Sequence, residues 1–573
     1  MSLSDPSNTQ KGIDSEALFT EEVIEENYGA LIENVESNSL TASLSHISSL
    51  SNDPNHGYLL PYRQIVAILI PLYMLVFLTS LDATILSTLM TEIASDLNAM
   101  PYISWIATAY LFSTSIVQPL GKLSDIFGRK PALLVCITVF IVGCFQCATA
   151  MDVVSFTSGR FLSGFAAGLL SLTSIITSDL IPLRNRGVYQ GLTNVFFALG
   201  STVGSTCGGW ISERWGWRMT FWCQIPIGIF CFLVIMIFFN LPTLPHEIGN
   251  ENVKMNEKVK QIDIGGIFLI ALNLFIMILM TSVSFKSYSS YIVLVLCLFL
   301  GLYTLYKVES AHSFAIIPLH LMSNITVLGS SLANLFGTMF SYVLMFYYPV
   351  YLTTVLGIKS DGVGIRLVPS IVSASASSIF SGLYMKWTGK YLTFIRVFNA
   401  IGSLGIIYLL IRTRPNTSPT VLEQFTLNLL PTGSYVATLT VSLLSLIAAV
   451  PFEYQSSVTS IQYSFRSMGS TLGTSISSYL FTSNLQYCLV TKLAKNKPAD
   501  VTDAILKKTI KAAFHDANYV RSKDAPTWAV DLMIESYNVS CWNTFVFALV
   551  MSFLGLIAIS VIKENKLHSS VKR

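Results

Sequence analysis

The sequence predicts an all-α polytopic membrane protein, and three observations carry that expectation. Charged residues make up only 12% of its 573 residues and hydrophobic ones 52%, with a mean hydropathy of +0.60. A soluble domain carries about 25% charge. The apolar residues also fall in runs long enough to cross a bilayer, which takes roughly 20 residues. Finally, the polar stretches between those runs are short, and Lys and Arg collect on alternate ones.

From the N-terminus, residues 1–62 read as a disordered, acidic, cytoplasmic tail. The first sixty hold ten acidic residues against the single base Lys11, and they are rich in Ser and Asn. They lack the basic start and apolar core of a secretory signal, so insertion is expected to be directed by the first spanning helix, near Gln64. Spanning windows follow at 65–90, 103–121, 131–150, 154–178, 188–211, 219–240, 264–284, 289–306, 325–353, 362–385, 391–411, 433–454, 458–482 and 541–562, about fourteen helices. They divide into a six-helix bundle at 63–240, a linker with two extra helices at 241–322, and a second six-helix bundle at 323–562. The tail 563–573 closes the chain.

The positive-inside rule places both termini in the cytoplasm. Lys122, Arg129, Lys130, Arg184, Arg186, Lys254, Lys258, Lys260, Lys386 and Lys390 then share that side with the C-terminal tail. The long loop 484–540 lies on the other side. Its stretches Val501–Phe514 and Trp528–Ile534 are amphipathic and suit a membrane surface. Cys488 and Cys541 bracket the loop, either as a disulfide or as two inert thiols, and Asn416 and Asn538 begin candidate glycosylation sequons.

Two half-length copies are faintly visible. Gly121 and Gly128 have counterparts in Gly382 and Gly389, and Lys390 falls where Arg129 does, but Lys386 stands where Asp125 should. Gly200-x-x-x-Gly204 is echoed by Gly469-x-x-x-Gly473. Paired halves suit a transporter whose binding site lies between them. Small residues at this spacing let helix backbones approach closely, and several glycines on one helix also suit a bendable helix lining a path.

Gly121–Lys130 (GKLSDIFGRK) joins the second and third helices. Its two glycines permit tight turning, and Asp125, Arg129 and Lys130 can form a charge cluster that latches one conformation shut. Position by position the stretch resembles the signature loop of the major facilitator superfamily. Arg160-Phe-Leu-Ser-Gly164-Phe-Ala-Ala-Gly168 is similar to that superfamily's fourth-helix motif. Gly191, Gly200, Gly204, Gly208 and Gly209 resemble its fifth-helix antiporter motif, although Ser205 stands where the family has Pro. Leu81-Asp82-Ala-Thr84-Ile85, Trp217-Arg218 and Pro226-x-Gly228 resemble the fourteen-helix drug:proton antiporter branch. Ile103-Ser-Trp105-Ile-Ala-Thr-Ala-Tyr110 is most similar to fungal vacuolar basic amino-acid transporters. The resemblance implies a major facilitator fold and import of histidine, lysine and arginine into the vacuole in exchange for protons. A plasma-membrane multidrug:proton antiporter is the alternative, and a transporter-like membrane sensor a more distant one.

Charges inside spanning helices are costly, at least about 2.5–3.5 kcal/mol at the centre, so Asp82 and Arg160 are the foremost candidate residues. Burial raises a carboxyl pKa and a guanidinium lowers it, so Asp82 can exchange a proton for a cationic substrate group, or form a static ion pair. In the second half Arg466 can meet a substrate carboxylate or neutralise Glu453. Asn334, Tyr347 and Tyr348 are packing residues with a possible view of a cavity, and Asp179 a structural clamp beside Pro182, Arg184 and Arg186. No phosphate-binding GxxxxGK[ST] loop is present, no cysteine spacing suits a metal, and the seven scattered histidines read as solvated. The expectation is therefore a non-enzymatic, monomeric carrier without cofactor or metal, whose partners are a small molecule, protons and the bilayer rather than nucleic acid.

Overall fold

The computed structural model describes residues 62–97, 103–117, 120–181, 183–239, 263–282, 288–311, 319–358, 360–415, 417–451, 454–498, 501–515, 517–522 and 525–565. The acidic tail, the stretches 240–262, 283–287 and 312–318 around the central hairpin, Pro182, Asn416, Glu453 and the end of the C-terminal tail lie outside them, as does the side chain of Arg184. All regular structure among the described residues is helical.

In the first half, α1 is Tyr62–Asp96, α2 Ile103–Ile116, α3 Leu120–Phe127, α4 Arg129–Thr149 and α5 Val153–Ser163. They are followed by α6 at Ala167–Leu180, α7 at Leu183–Trp215, α8 at Trp217–Trp222 and α9 at Gln224–Phe238. The central hairpin is α10, Ile264–Ser282, and α11, Tyr288–Ala311. In the second half, α12 is Leu319–Met322, α13 Ile325–Val350, α14 Ser360–Thr388 and α15 Leu392–Arg412. Then come α16, Val421–Thr426, α17, Leu429–Ala448, α18, Gln455–Lys495, α19, Asp503–His515, and α20, Thr527–Ser560.

Among the described residues, ten helical spans are long and apolar enough to cross a membrane. The expected windows 103–121, 188–211, 264–284 and 458–482 are not among them. Helix α2 is only 14 residues long, and the apolar part of α10 is Gly265–Met277. Helices α7 and α18 are long but carry Ser, Thr, Gly and Asn where a lipid-facing helix carries Leu and Ile. Both pack against the opposite half, α7 on α14 and α18 on α3 and α6. Their polarity therefore reflects the neighbour they face.

The two largest clusters of buried apolar residues each stay within one half. Leu72, Leu75, Phe140 and Leu172 belong to one, and Phe340, Leu352, Leu409 and Phe545 to the other. Lipid tails are as apolar as leucine, so close packing rather than exclusion from water holds each bundle together. Glycine is the means. A Cβ at Gly200 or Gly204 of α7 would lie 2.2 Å from the Phe77 carbonyl oxygen or 2.6 Å from that of Leu81 on α1. At Gly469 and Gly473 of α18 it would lie 2.5 Å from the Leu335 oxygen and 2.9 Å from the Met339 oxygen on α13. The same helix pair is thus closed by the same four-residue spacing in each half, and the faint repeat is a structural one. Gly128 and Gly389 also share a positive φ, 96° and 66°.

The stretch expected as a loop at 484–540 is mostly helix. Helix α18 runs on to Lys495 and α20 begins at Thr527, and the extensions are bridged by Lys492 and Glu535 at 2.9 Å. Helix α19 does not present its apolar face to a membrane surface. Ala513 is fully buried, Leu506, Ile510 and Phe514 pack onto the second-half core, and the Tyr537 hydroxyl donates to the Ala513 carbonyl at 2.7 Å. Trp528–Ile534 belongs to α20 and packs on the same core. Cys488 and Cys541 are separate buried thiols rather than a disulfide. Asn538 is only 8% exposed within α20, so its sequon does not present an acceptor at the surface.

Candidate functional site

Two charged constellations and two cavities lie where the halves meet or beside that surface. The first constellation is the Gly121–Lys130 stretch, formed by α3, the turn at Gly128 and the start of α4. Arg129 is almost fully buried; its Nη1 donates to Asp125 and, at 2.5 Å, to the Ser124 hydroxyl, and its Nε donates to Asp179 at 3.0 Å. The Ser456 hydroxyl of α18 donates to the other Asp125 oxygen, which carries the cluster across to the second half. Gly121 completes the contact, since a Cβ there would lie 2.0 Å from the Ser460 hydroxyl oxygen. Lys130 is half-buried at the start of α4. Nearby, Arg186 Nη1 donates to Gln455 at 2.9 Å, and Gly187 meets Gly382 backbone to backbone. Asp179 is thus a clamp, as expected, and Arg129 is a partner it holds.

At the equivalent place in the second half the acid comes from elsewhere in the chain. The Tyr391 N–H donates to Glu564 at 3.2 Å and its hydroxyl to the Lys563 carbonyl at 2.9 Å. Lys386, where the repeat puts Asp125, is exposed.

The second constellation lies within the first half. Arg160 of α5 donates from Nη1 to both carboxylate oxygens of Asp82 on α1, at 2.8 and 3.0 Å, and both side chains are 0% exposed. The guanidinium carbon sits 4.4 Å from the Tyr110 ring centroid and 5.8 Å from that of Phe221. Its Nε and Nη2 meet no hydrogen-bond acceptor among the described residues. One 3₁₀ turn later, a Cβ on Gly164 would lie 2.9 Å from the Tyr110 carbonyl oxygen, so the glycine lets α2 approach and seats Tyr110 over the guanidinium. Glycines 200 and 204 close α7 onto α1 beside Asp82, and Gly208 faces Ile85. Gly209 has only ordinary contact with Thr88, while Gly191 packs on Ser378 and Ile379 of α14. Trp217 and Arg218 reach Asp96 at 3.1 and 2.8 Å, and the Arg218 hydrogen bond holds that exposed carboxyl below its ordinary range.

Between the halves lies a cavity of about 340 Å³, within the range of small-molecule sites. Its walls are mostly apolar, among them Phe197, Leu344, Met345 and Ile371, with Asn194, Asn428, Thr432 and Arg466 supplying polarity. On α7, α14 and α18 alike, the cavity residues lie farther along the bundle than the contacts at Gly187, Gly382 and Ser460. The cavity is therefore shut at the end that carries Gly121–Lys130. A second cavity of about 100 Å³ adjoins it and shares Phe197 and Arg466.

Of the expected residues, Arg466 alone lines these cavities. Asp82 and Arg160 lie behind Tyr110, and Glu453 is outside the described residues. Asn334 donates to Ser330 and Ser442, Tyr348 to the Gln424 carbonyl, and Tyr347 packs on Phe481, so these three are packing residues. Tyr110, Asn194, Tyr342, Tyr435 and Tyr463 were not singled out as lining residues. One signal was available: Tyr463, Arg466, Ser467 and Ser470 recur at three- and four-residue spacing on one face of a spanning helix.

The Major Facilitator Superfamily profile matches residues 72–474. The multidrug resistance protein fnx1 of Schizosaccharomyces pombe is 32% identical over 506 residues, covering 87% of this chain and 92% of its own. Vacuolar basic amino acid transporter 1 of Saccharomyces cerevisiae is 27% identical over 536 residues, covering 88% and 93%. Among solved structures, the proton:xylose symporter XylE superposes with a TM-score of 0.54 over 88% of this chain and 97% of its own, at 14% identity, a likeness of fold.

Proposed function

The chain belongs to the Major Facilitator Superfamily, and we propose that it exchanges protons for the basic amino acids histidine, lysine and arginine across the vacuolar membrane by alternating access. The observation that carries this reading is the cavity between two separately cored halves, shut at one end by Asp125, Arg129, Gly121 and Ser456. In this reading the shut end is cytoplasmic, and the present conformation serves the lumen. Opening the cytoplasmic end breaks the Asp125–Ser456 and Arg186–Gln455 bonds while each apolar core stays whole.

Asp82 is the proposed proton site. It is a fully buried carboxylate whose two oxygens are both held by Arg160, and parting that pair between states is what frees it for a proton. Each pH unit supplies about 1.4 kcal/mol per proton, enough for roughly tenfold accumulation. Arg466 is the proposed contact for the substrate.

A second reading rests on the cavity itself. Its walls are mostly apolar and include no carboxylate among the described residues, which also suits an organic drug:proton antiporter at the plasma membrane. Reconstituted vesicles with an imposed pH gradient separate the two. Gradient-dependent uptake of labelled lysine or histidine supports the first reading. Exchange of an organic dye with no amino-acid uptake replaces it with the second.

A further inference from the structure

We propose that the smaller cavity is a carboxylate subsite, so that the protein requires an anionic group on its substrate. This deepens the transport reading above and rests on it for the identity of the substrate.

The walls of this chamber are mostly apolar, as in the larger cavity, but Tyr110, Tyr342, Tyr463, Ser467 and Ser470 line it beside Arg466. Arg466 is the only charged side chain among the described residues lining either cavity. The described carboxylates leave it without a salt bridge within 4.0 Å. Phe197 and Tyr463 lie 5.6 and 5.8 Å from its guanidinium carbon. Such rings soften the burial of a cation, and Tyr435 is a hydrogen-bond partner for it, which leaves the rest of its five N–H donors for a ligand. A guanidinium offers donors and no acceptor, and its fork matches the two oxygens of a carboxylate. Tyr110 and Tyr342 add hydroxyls around the same space, whereas those of Tyr463 and Ser470 are engaged by Ser174 and by the Ser467 carbonyl. The chamber therefore selects against an ammonium and for an acid.

Size and position assign the rest of the substrate. About 100 Å³ is below the range of whole-ligand sites and suits a head group. The adjoining cavity of about 340 Å³ takes the side chain, and Arg466 with Phe197 forms the neck between the two. Tyr110 lines the small chamber while Arg160 sits 4.4 Å from its ring. A bound carboxylate is thus one ring away from the Asp82–Arg160 pair, and Tyr110 is a positioning residue between substrate and proton site.

The test uses the full chain in proteoliposomes with a pH gradient, following labelled lysine in competition with arginine, lysine methyl ester, cadaverine and agmatine. Arginine should compete, and the three compounds lacking a carboxylate should need roughly tenfold or higher concentrations. Arg466→Gln should raise the KM for lysine by about tenfold or more and erase that discrimination, with Arg466→Lys partly restoring it. Tyr342→Phe, which removes one hydroxyl, gives a milder rise in KM should Arg466→Gln fail to fold. If ester and amines compete as well as arginine, the subsite is overturned while amino-acid transport stands. If no amino acid is carried, the transport reading fails. The subsite is then judged by thermal stabilisation with benzoate against benzamide: selective stabilisation lost in Arg466→Gln upholds it, and equal shifts overturn it.

Discussion

Replacing Asp82 by Asn removes the proposed proton site and half of an ion pair that is 0% exposed on both sides. Breaking a buried pair by neutralising one partner costs about 3–5 kcal/mol, because the other charge is left uncompensated. Asparagine keeps one acceptor oxygen in place of the two that Arg160 reaches at 2.8 and 3.0 Å, so the lower end, about 3 kcal/mol, is the better expectation. That equals roughly a hundredfold in an equilibrium constant. Two assays divide the effect. Thermal unfolding of the purified protein reports the loss of the pair. Lysine accumulation driven by a pH gradient, set against counterflow without one, reports the loss of coupling. The variant should lose accumulation and retain counterflow, since Asn resembles the protonated acid. The double variant Asp82→Asn, Arg160→Gln leaves no lone charge and should recover thermal stability without recovering accumulation. Full gradient-driven accumulation by Asp82→Asn would refute the coupling role, whatever became of stability.

Three further outcomes follow from the packing. Gly204→Ala, whose Cβ would lie 2.2 Å from the Thr84 hydroxyl oxygen and 2.6 Å from the Leu81 carbonyl oxygen, should separate α1 from α7 and lower the unfolding temperature sharply, whereas Gly209→Ala, with its nearest contact at 4.0 Å, should be neutral or stabilising; equal effects in a melting assay would contradict the packing role. Asp125→Asn should loosen the shut end, and because Arg129 keeps Asp179, the loss should be near the lower bound for a charged hydrogen bond, about 1.5 kcal/mol. Amide exchange over Gly121–Lys130 and the first turns of α18 should then rise by roughly tenfold; unchanged exchange would dismiss the latch. Tyr537→Phe should cost about 1 kcal/mol by losing the bond to Ala513, read as faster proteolysis between α18 and α20; unaltered proteolysis would detach α19 from the core.

Much of this was legible because membrane helices are written in composition. Long apolar runs, basic loops and glycine spacing mark the two halves, and charge inside spanning helices points to Asp82 and Arg160, which meet in the fold. Other features resisted for physical reasons. The apolar stretch at 541–562 hid a helix that begins at Thr527, since the added turns lie against α18 and α19 rather than lipid and need no continuous hydrophobicity. Helix α19 is amphipathic, and amphipathicity does not distinguish a membrane surface from a protein core. The windows for α7 and α18 were expected to span, yet their polarity marks the surface between the halves. The small chamber draws on helices from both halves, and Tyr110 and Tyr463 meet around it only after folding.

That division of labour sets the energy scale of the proposed cycle. Contacts across the halves at the shut end and just beyond it include Ser456 to Asp125, Arg186 to Gln455, Ser174 to Tyr463, and Asn194 to both Ser378 and Thr440. A hydrogen bond exchanged for water is worth about 0.5–1.5 kcal/mol net, and more where a charge takes part. These contacts together therefore amount to several kcal/mol. One proton moving down two pH units supplies about 2.7 kcal/mol, and substrate binding adds to it. The apolar cores of each half, by contrast, involve tens of tightly packed side chains, and dismantling them lies far beyond any such gradient. A proton gradient is thus matched to parting the polar surface and too weak to disturb either bundle. On this argument the bundles move as bodies, and substitutions at the surface between them should change transport rates before they change folding.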